Sequence, residues 1–296
     1  MKATRILHDL GQSLWLDNIT RNLLRTGVLR RYIDEFSVTG LTSNPTIFDH
    51  AIKNSADYDD AIKSKLAEGK SGEKLFFELA LEDLTQAADL FRPVHDRTCG
   101  VDGWVSLEVS PLLAHDTKST IAEAKALHAQ ARRPNVFIKI PGTPEGLPAI
   151  EEAIFAGVPI NVTLLFSDEQ YLAAANAFMR GIERRIEAGL KPDVASVTSI
   201  FISRWDVAVT GKVPQALNDP LDGTLKALAE HGDVSTTLPA DGGNSEEELA
   251  RFADAKIDVH ALSRQLQDEG AKSFVKSWND LLGVISSKST LLKRAG

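Results

Sequence analysis

Short apolar or β-branched runs recur along the chain and alternate with stretches of helical spacing. The runs SLWLDN (13–18), VTGLTSN (38–44), GWVSLEVS (103–110), NVFIKIP (135–141), VPINVTLLFS (158–167) and ASVTSIFIS (195–203) predict six strands. Between them, 55–91, 117–132, 143–156 and 168–189 carry apolar residues at helical intervals with few breakers, as do 244–255 and 259–283 further on. Strand and helix taking turns implies crossover connections and a parallel sheet. No low-complexity segment or Pro/Gly-rich linker divides the chain, so residues 1–296 are expected to form a single α/β domain.

Splitting each strand by parity sharpens this expectation, because successive side chains point to opposite faces. One face carries Leu14 and Leu16; Val105, Leu107 and Val109; Val136, Ile138 and Ile140; Val162, Leu164 and Phe166; and Ile200 and Ile202, all suited to lie under helices. The other face carries Asp17, Thr42, Asn44, Glu108, Lys139, Asn161, Thr163 and Ser199, late in their strands. An open doubly wound sheet is covered by helices on both faces and should be apolar on both. A TIM (β/α)8-type barrel instead gathers inward polar residues at the carboxyl ends of its strands, and fits better.

Lys139 is the residue in this set with the sharpest chemistry. Read as an edge-strand residue, it would lay its stem on apolar surface and send its ammonium to water. Val136, Ile138 and Ile140 argue instead that its strand is covered. In a desolvated pocket the charged form of a lysine is disfavoured, and a free amine attacks carbonyls. The product is a Schiff base, an electron sink for breaking or making the adjacent carbon–carbon bond. Such chemistry needs proton donors and acceptors, for which Glu108 and Asp17 are the inward carboxylates available, although a structural Asp17–Lys139 ion pair is the competing account. Thr163 could orient a water, and Asn44, Asn161 and Ser199 suit the hydroxyls of a polyol.

Composition narrows the partners. A net charge of −8 without a dense basic run argues against nucleic-acid or anionic-membrane binding, so an anionic ligand must be held by a few local cations. No stretch approaches the length of a membrane span, and the start MKATRILHDLGQ lacks the apolar core of a secretion signal. The single cysteine, Cys99, rules out an intramolecular disulfide. A globular cytoplasmic protein is the expectation. The seven histidines show no metal-binding spacing, and neither a metal nor an organic cofactor is suggested. Whether the chain forms a homo-oligomer is left open.

The stretches GQSLWLDN, GLTSNPTIF, WVSLEVSPLLAHDT, FIKIPGTPEGLPAI, INVTLLFS and SIFISRWD resemble transaldolase. The match runs from about residue 9 to 210, resumes in LARFADAKIDVHALSRQLQDEGAKSFVKSWNDLL, and is strongest to the longer bacterial branch, some of whose members are fused to a glucose-6-phosphate isomerase. No isomerase domain is present in this sequence. The resemblance implies a pentose-phosphate enzyme that moves a dihydroxyacetone unit between sugar phosphates without a cofactor. It implies Lys139 as the Schiff-base residue, Glu108 acting through a water held by Thr163, and Asp17 as acid/base at the cleaved bond. It further implies Asn44 and Asn161 as ligands of the dihydroxyacetone moiety, Ser199 as a hydroxyl contact and Arg204 as a phosphate ligand.

The sequence departs from the family after Arg204. Two further strands are expected there, yet WDVAVTGKVPQALNDPL runs directly into DGTLKALAEHGDVSTTLPADGG. Each βα unit with its return strand needs roughly 30 residues or more, so the interval is too short for two. The barrel is therefore expected to be incomplete or distorted, closed by short strands from VAVTGKV (207–213) and DVSTTLP (233–239). Two alternatives to transaldolase stay open: simple aldol cleavage of fructose 6-phosphate, and an impaired barrel that binds sugar phosphate or serves as an assembly subunit.

Overall fold

The computed structural model describes residues 2–210, 232 and 243–294. Six strands, β1 (Leu14–Asp17), β2 (Val38–Thr42), β3 (Trp104–Glu108), β4 (Val136–Pro141), β5 (Ile160–Leu165) and β6 (Ser196–Ile200), pair in parallel and in chain order. This order never reverses. Because parallel crossovers share one hand, unreversed order sends every connecting helix to the same face of the sheet. The sheet curls around its other face as part of a TIM-type barrel.

Helices fill the crossovers. α1 (Ala3–Asp9), α2 (Arg21–Arg25), α3 (Val28–Phe36), α4 (Pro45–Lys53), α5 (Asp59–Ala67) and α6 (Gly72–Arg97) surround β1 to β3, and α7 (Thr117–Ala131), α8 (Gly146–Phe155) and α9 (Asp168–Glu187) follow. α10 (Ser203–Val209) comes after β6, and the helices Ser245–Asp254 and Val259–Arg294 complete the described chain. The stretch 55–91 is two helices rather than one. Gly69 adopts φ 77° after α5 while the amides of Gly69 and Lys70 bond back to Leu66 and Lys65, a left-handed helix stop that glycine takes without steric penalty. Four short early helices escaped the periodicity, two of them marked only by caps: Thr20 Oγ1 accepts from Leu23 N, and Asn44 Oδ1 accepts from Ile47 N with Pro45 next in sequence.

The main core lies between the sheet's outer face and the helices, and Val105, Leu107, Val109, Val136, Ile138, Ile140 and Val162 all join it. Leu164 and Phe166 do not. The β5–β6 register shifts between Val162 and Leu165, and Leu164 sits at φ 58°, so Leu165 takes the outward position. Leu164 and Phe166 pack instead in a second cluster with Val209, Leu262, Leu266 and Phe274. Ile200 and Ile202, expected under helices, are 45% and 54% exposed: β6 is an edge strand among the described residues, and Ile202 lies past its end, immediately before α10. Leu14 and Leu16 are half-buried. The suggested strand VAVTGKV is corrected as well: its first three residues belong to α10, and Gly211 onward lies outside the described residues, as does DVSTTLP.

Inside the curl, an aromatic floor closes the end of the barrel nearest the strands' starts. Trp15 stacks at 6.1 Å from Phe137, which stacks at 4.0 Å on Trp104. Gly40 is required beneath them, since a Cβ there would stand 2.6 Å from the Trp15 ring. Phe137 precedes Lys139 by two residues and shares its face, so the floor lies one layer below the amine.

A buried ionic knot ties α2 to α6. Arg21 Nε donates to Asp83 Oδ1 at 2.8 Å and its Nη2 to Glu82 Oε2 at 2.6 Å, while Tyr58 Oη donates to Asp83 Oδ2 at 2.7 Å. Burial pushes the Asp83 carboxyl up to about 6, against the opposing pull of the Arg21 charge and the Tyr58 hydrogen bond. Replacing Arg21 with methionine strands this carboxylate and should cost about 3–5 kcal/mol of unfolding free energy near neutral pH. Without Arg21 the carboxyl rises further, so the folded state holds a proton that the unfolded state has lost, and stability falls as pH rises through that window. Urea unfolding at pH 5 and at pH 7.5 should therefore show the smaller penalty at pH 5.

Candidate active site

Parallel register places the chemistry. Glu108 is the register partner of Lys139, and Lys139 that of Asn161, so the three form one row across β3, β4 and β5. Their side chains project inward, two residues beyond the aromatic floor in the case of Lys139. All three are buried, Lys139 and Glu108 each 4% exposed.

Lys139 Nζ lies 3.3 Å from Glu108 Oε2, an ion-pair distance without the geometry of a hydrogen bond, and donates to the main-chain oxygen of Ser43 at 3.4 Å. Burial raises the Glu108 carboxyl, and the charge of Lys139 lowers it in smaller measure. Such a carboxyl can give a proton as well as take one. Asp17 ends β1 at the open mouth, where part of its surface reaches solvent. The barrel wall around it nonetheless raises its carboxyl by desolvation, while Lys139 pulls the other way.

The remaining polar residues form a connected web. Asn161 Nδ2 donates to Ser106 Oγ at 3.1 Å, and Ser199 Oγ donates to Asn161 Oδ1 at 2.9 Å. Ser43 Oγ donates to Ser106 O at 2.9 Å. This web fixes the Asn161 amide and brings β6 to the lysine's row. Asn44 spends its carbonyl oxygen on capping α4. It also lines, together with Glu108, Leu107 and Trp278, a cavity of about 10 Å³, near the minimum that holds one water. Thr163 Oγ1 and both Glu108 oxygens are buried without a hydrogen-bond partner among the described residues. Buried polar atoms of this kind call for a ligand or a water.

Arg204 lies in the first turn of α10, beyond β6. Its guanidinium lies 5.6 Å from the Phe201 ring centroid and 5.7 Å from that of Phe274, and no carboxylate among the described residues pairs with it. The structure thus joins Lys139, Glu108, Asn161 and Ser199 directly, sets Asp17 within the lysine's electrostatic reach, and connects Arg204 to the lysine through Phe274, whose ring centroid is 5.8 Å from Lys139 Nζ. A much larger cavity, about 590 Å³, is bounded by Phe166, Tyr171, Trp205 and Phe252; it holds neither the lysine nor its carboxylates.

Three participants carried little signal in the sequence. Ser106 has the inward parity of Glu108 and could have been found that way. Ser43 acts through its main-chain oxygen, which no residue type announces. Phe274 reads as one more apolar position on a helix. Among the described residues there is no cluster of three or more side chains able to hold a metal ion, and no helix is long and apolar enough to cross a membrane.

The model of the transaldolase/fructose-6-phosphate aldolase family matches residues 14–223. A transaldolase of Trichodesmium erythraeum is 43% identical over 225 residues, which make up 76% of this chain but 59% of the relative, so the chain spans well under two thirds of that protein's length. A transaldolase of Thiobacillus denitrificans is 34% identical across 96% of this chain and 100% of its own length, and a transaldolase 2 of Nostoc punctiforme is 41% identical across 97% of each. The alignment with the Thiobacillus protein runs over 358 positions against the 296 residues here, so the relative has residues without counterparts in this sequence. With the buried lysine–carboxylate row at the ends of parallel strands, this similarity places the chain in the transaldolase/fructose-6-phosphate aldolase family.

Proposed function

We propose that this protein is a transaldolase that carries a dihydroxyacetone unit from a ketose phosphate, sedoheptulose 7-phosphate or fructose 6-phosphate, to an aldose phosphate. The observation that carries the reading is the pairing of Lys139 with Glu108 at 3.3 Å inside the barrel, both closed off from solvent. Lys139 Nζ adds to the ketose carbonyl. Glu108 gives a proton to the departing hydroxyl of the carbinolamine, directly or through a water between it and Thr163, and the iminium forms. Asp17 then removes the proton from the C4 hydroxyl, the C3–C4 bond breaks, and the aldose phosphate leaves an enamine on Lys139. Attack of that enamine on an acceptor aldehyde runs these steps backwards.

Asn44, Asn161 and Ser199 bind the hydroxyls of the three-carbon unit, with the Asn161 amide held ready by its bonds to Ser106 and Ser199. Arg204 offers a guanidinium fork suited to the terminal phosphate. The reaction belongs to the pentose phosphate route of a cytoplasmic protein and requires no metal or organic cofactor. A second reading, aldol cleavage with release of free dihydroxyacetone, is favoured by one observation: Asp17 stands at a mouth that water reaches.

Borohydride added in the presence of fructose 6-phosphate should attach a reduced dihydroxyacetone unit to the peptide containing Lys139, read by mass spectrometry. An unmodified peptide from folded protein would favour an impaired barrel that only binds sugar phosphate or assembles with other chains. Lys139→Arg should abolish turnover while leaving the melting temperature nearly unchanged, since arginine keeps its proton and forms no imine. Glu108→Gln should slow turnover by on the order of 10²–10⁴, the usual effect of losing a general acid/base; a change confined to KM would make Glu108 a binding residue instead. Product analysis with and without erythrose 4-phosphate separates transfer from simple cleavage.

A further inference from the structure

The long helix Val259–Arg294 crosses the open end of the barrel, and several contacts fix how it lies. Gln267 Nε2 donates to Gly142 O at 3.0 Å and to Leu164 O at 2.8 Å, gripping the ends of β4 and β5. Gly270 lets the helix approach the β5 bulge closely, for a Cβ there would stand 2.9 Å from Leu164 Cδ2. Further along, Thr46 Oγ1 donates to Ser277 Oγ at 2.8 Å, and Trp278 Nε1 donates at 2.9 Å to Glu73 Oε1, which also accepts from Ser110 Oγ. Phe274 sits between these anchors. Its position is therefore set from both sides, more firmly than packing of one ring requires.

Phe274 is 5% exposed, and its ring lies near both of the site's cations, with Lys139 Nζ at 5.8 Å and Arg204 Cζ at 5.7 Å from its centroid. Phe201 meets it at 6.4 Å and completes the apolar wall. A substrate with its carbonyl carbon at Lys139 and its phosphate at Arg204 would run its carbon chain past this ring. Resting on the reading above, we propose that Phe274 is a specificity-determining residue that shields the enamine held by Lys139 from bulk water, so that the three-carbon unit waits for an aldehyde rather than being lost.

Loss of that unit takes two steps. The enamine carbon C3 takes a proton, which gives the imine of dihydroxyacetone; water then adds to C2, the C2–N bond breaks, and free dihydroxyacetone departs as the Lys139 amine is regenerated. In productive transfer the same C3 attacks the acceptor aldehyde, a C–C bond forms, and the aldehyde oxygen takes the proton. The new ketose imine also needs water at C2 to leave Lys139, so the two fates part at C3, where an apolar ring over the amine hinders random delivery of a solvent proton. Glu108, at 3.3 Å from the same amine, stays available for the intended proton transfers.

The test measures the ratio of free dihydroxyacetone to transferred product, with fructose 6-phosphate as donor and erythrose 4-phosphate as acceptor, in the full-length protein. Phe274→Ala should raise that ratio several-fold, because solvent then reaches C3 of the enamine. Phe274→Leu, which keeps most of the bulk, should return it close to the wild-type value. General damage to the fold would lower both products together and leave the ratio alone. If Phe274→Ala melts too early to assay, Phe274→Val opens a smaller gap, and its ratio should exceed that of Phe274→Leu. A ratio unchanged in variants that still form the borohydride-trapped adduct overturns the role of Phe274, whereas absence of the adduct in the wild-type protein overturns the transaldolase reading and this role with it.

Discussion

The register between β3 and β4 is the constraint on which the site depends. It sets Glu108 beside Lys139, and the next strand adds Asn161 to the same row. A slip of one residue would turn all of these side chains outward into the helical layer and bring Val or Ile into the barrel. That slip is opposed by the whole outer face, because Val105, Leu107, Val136, Ile138 and Ile140 are buried to within 1% of completion in the main core. The chemistry thus borrows its precision from apolar packing on the other side of the sheet. A lysine and a glutamate that would rather be in water are kept out of it by residues that would rather not be.

The second organising feature is the bulge at Leu164. A non-glycine residue in the left-handed region is strained, and here it interrupts the alternation after Thr163. Thr163 keeps its place next to Pro141 in the register, while Leu164 is freed to meet the long final helix. Gln267 and Gly270 meet it there, so the strain is balanced by the docking of a helix that also delivers Phe274 to the amine. The polar row at the strand ends and the helix that packs over it are in this way parts of one structure.

The two carboxylates sit in different environments. Glu108 is enclosed, with burial raising its carboxyl and Lys139 partly restoring it. Asp17 stands at the mouth, more open but also raised by desolvation against the pull of Lys139. Two acids of similar intrinsic strength are thus set apart by how far water reaches each.

By itself the sequence determined the six strands, their parallel order and the inward row of Asp17, Glu108, Lys139, Asn161 and Ser199, because period-2 alternation is a local property written into each strand. The caps at Thr20 and Asn44 were equally local, though too short to register against apolar periodicity. Tertiary structure alone decided the rest. The parity of Leu164 and Phe166 failed because a bulge resets alternation, and nothing in an apolar run marks where it falls. The exposure of Ile200 follows from β6 being an edge among the described residues, a fact about neighbours rather than about the strand. Ser43 entered through a carbonyl that every residue possesses. Phe274 reached Lys139 across 135 residues of chain, a meeting fixed by where Gln267, Ser277 and Trp278 find their partners, and distance along a sequence carries no trace of such a contact.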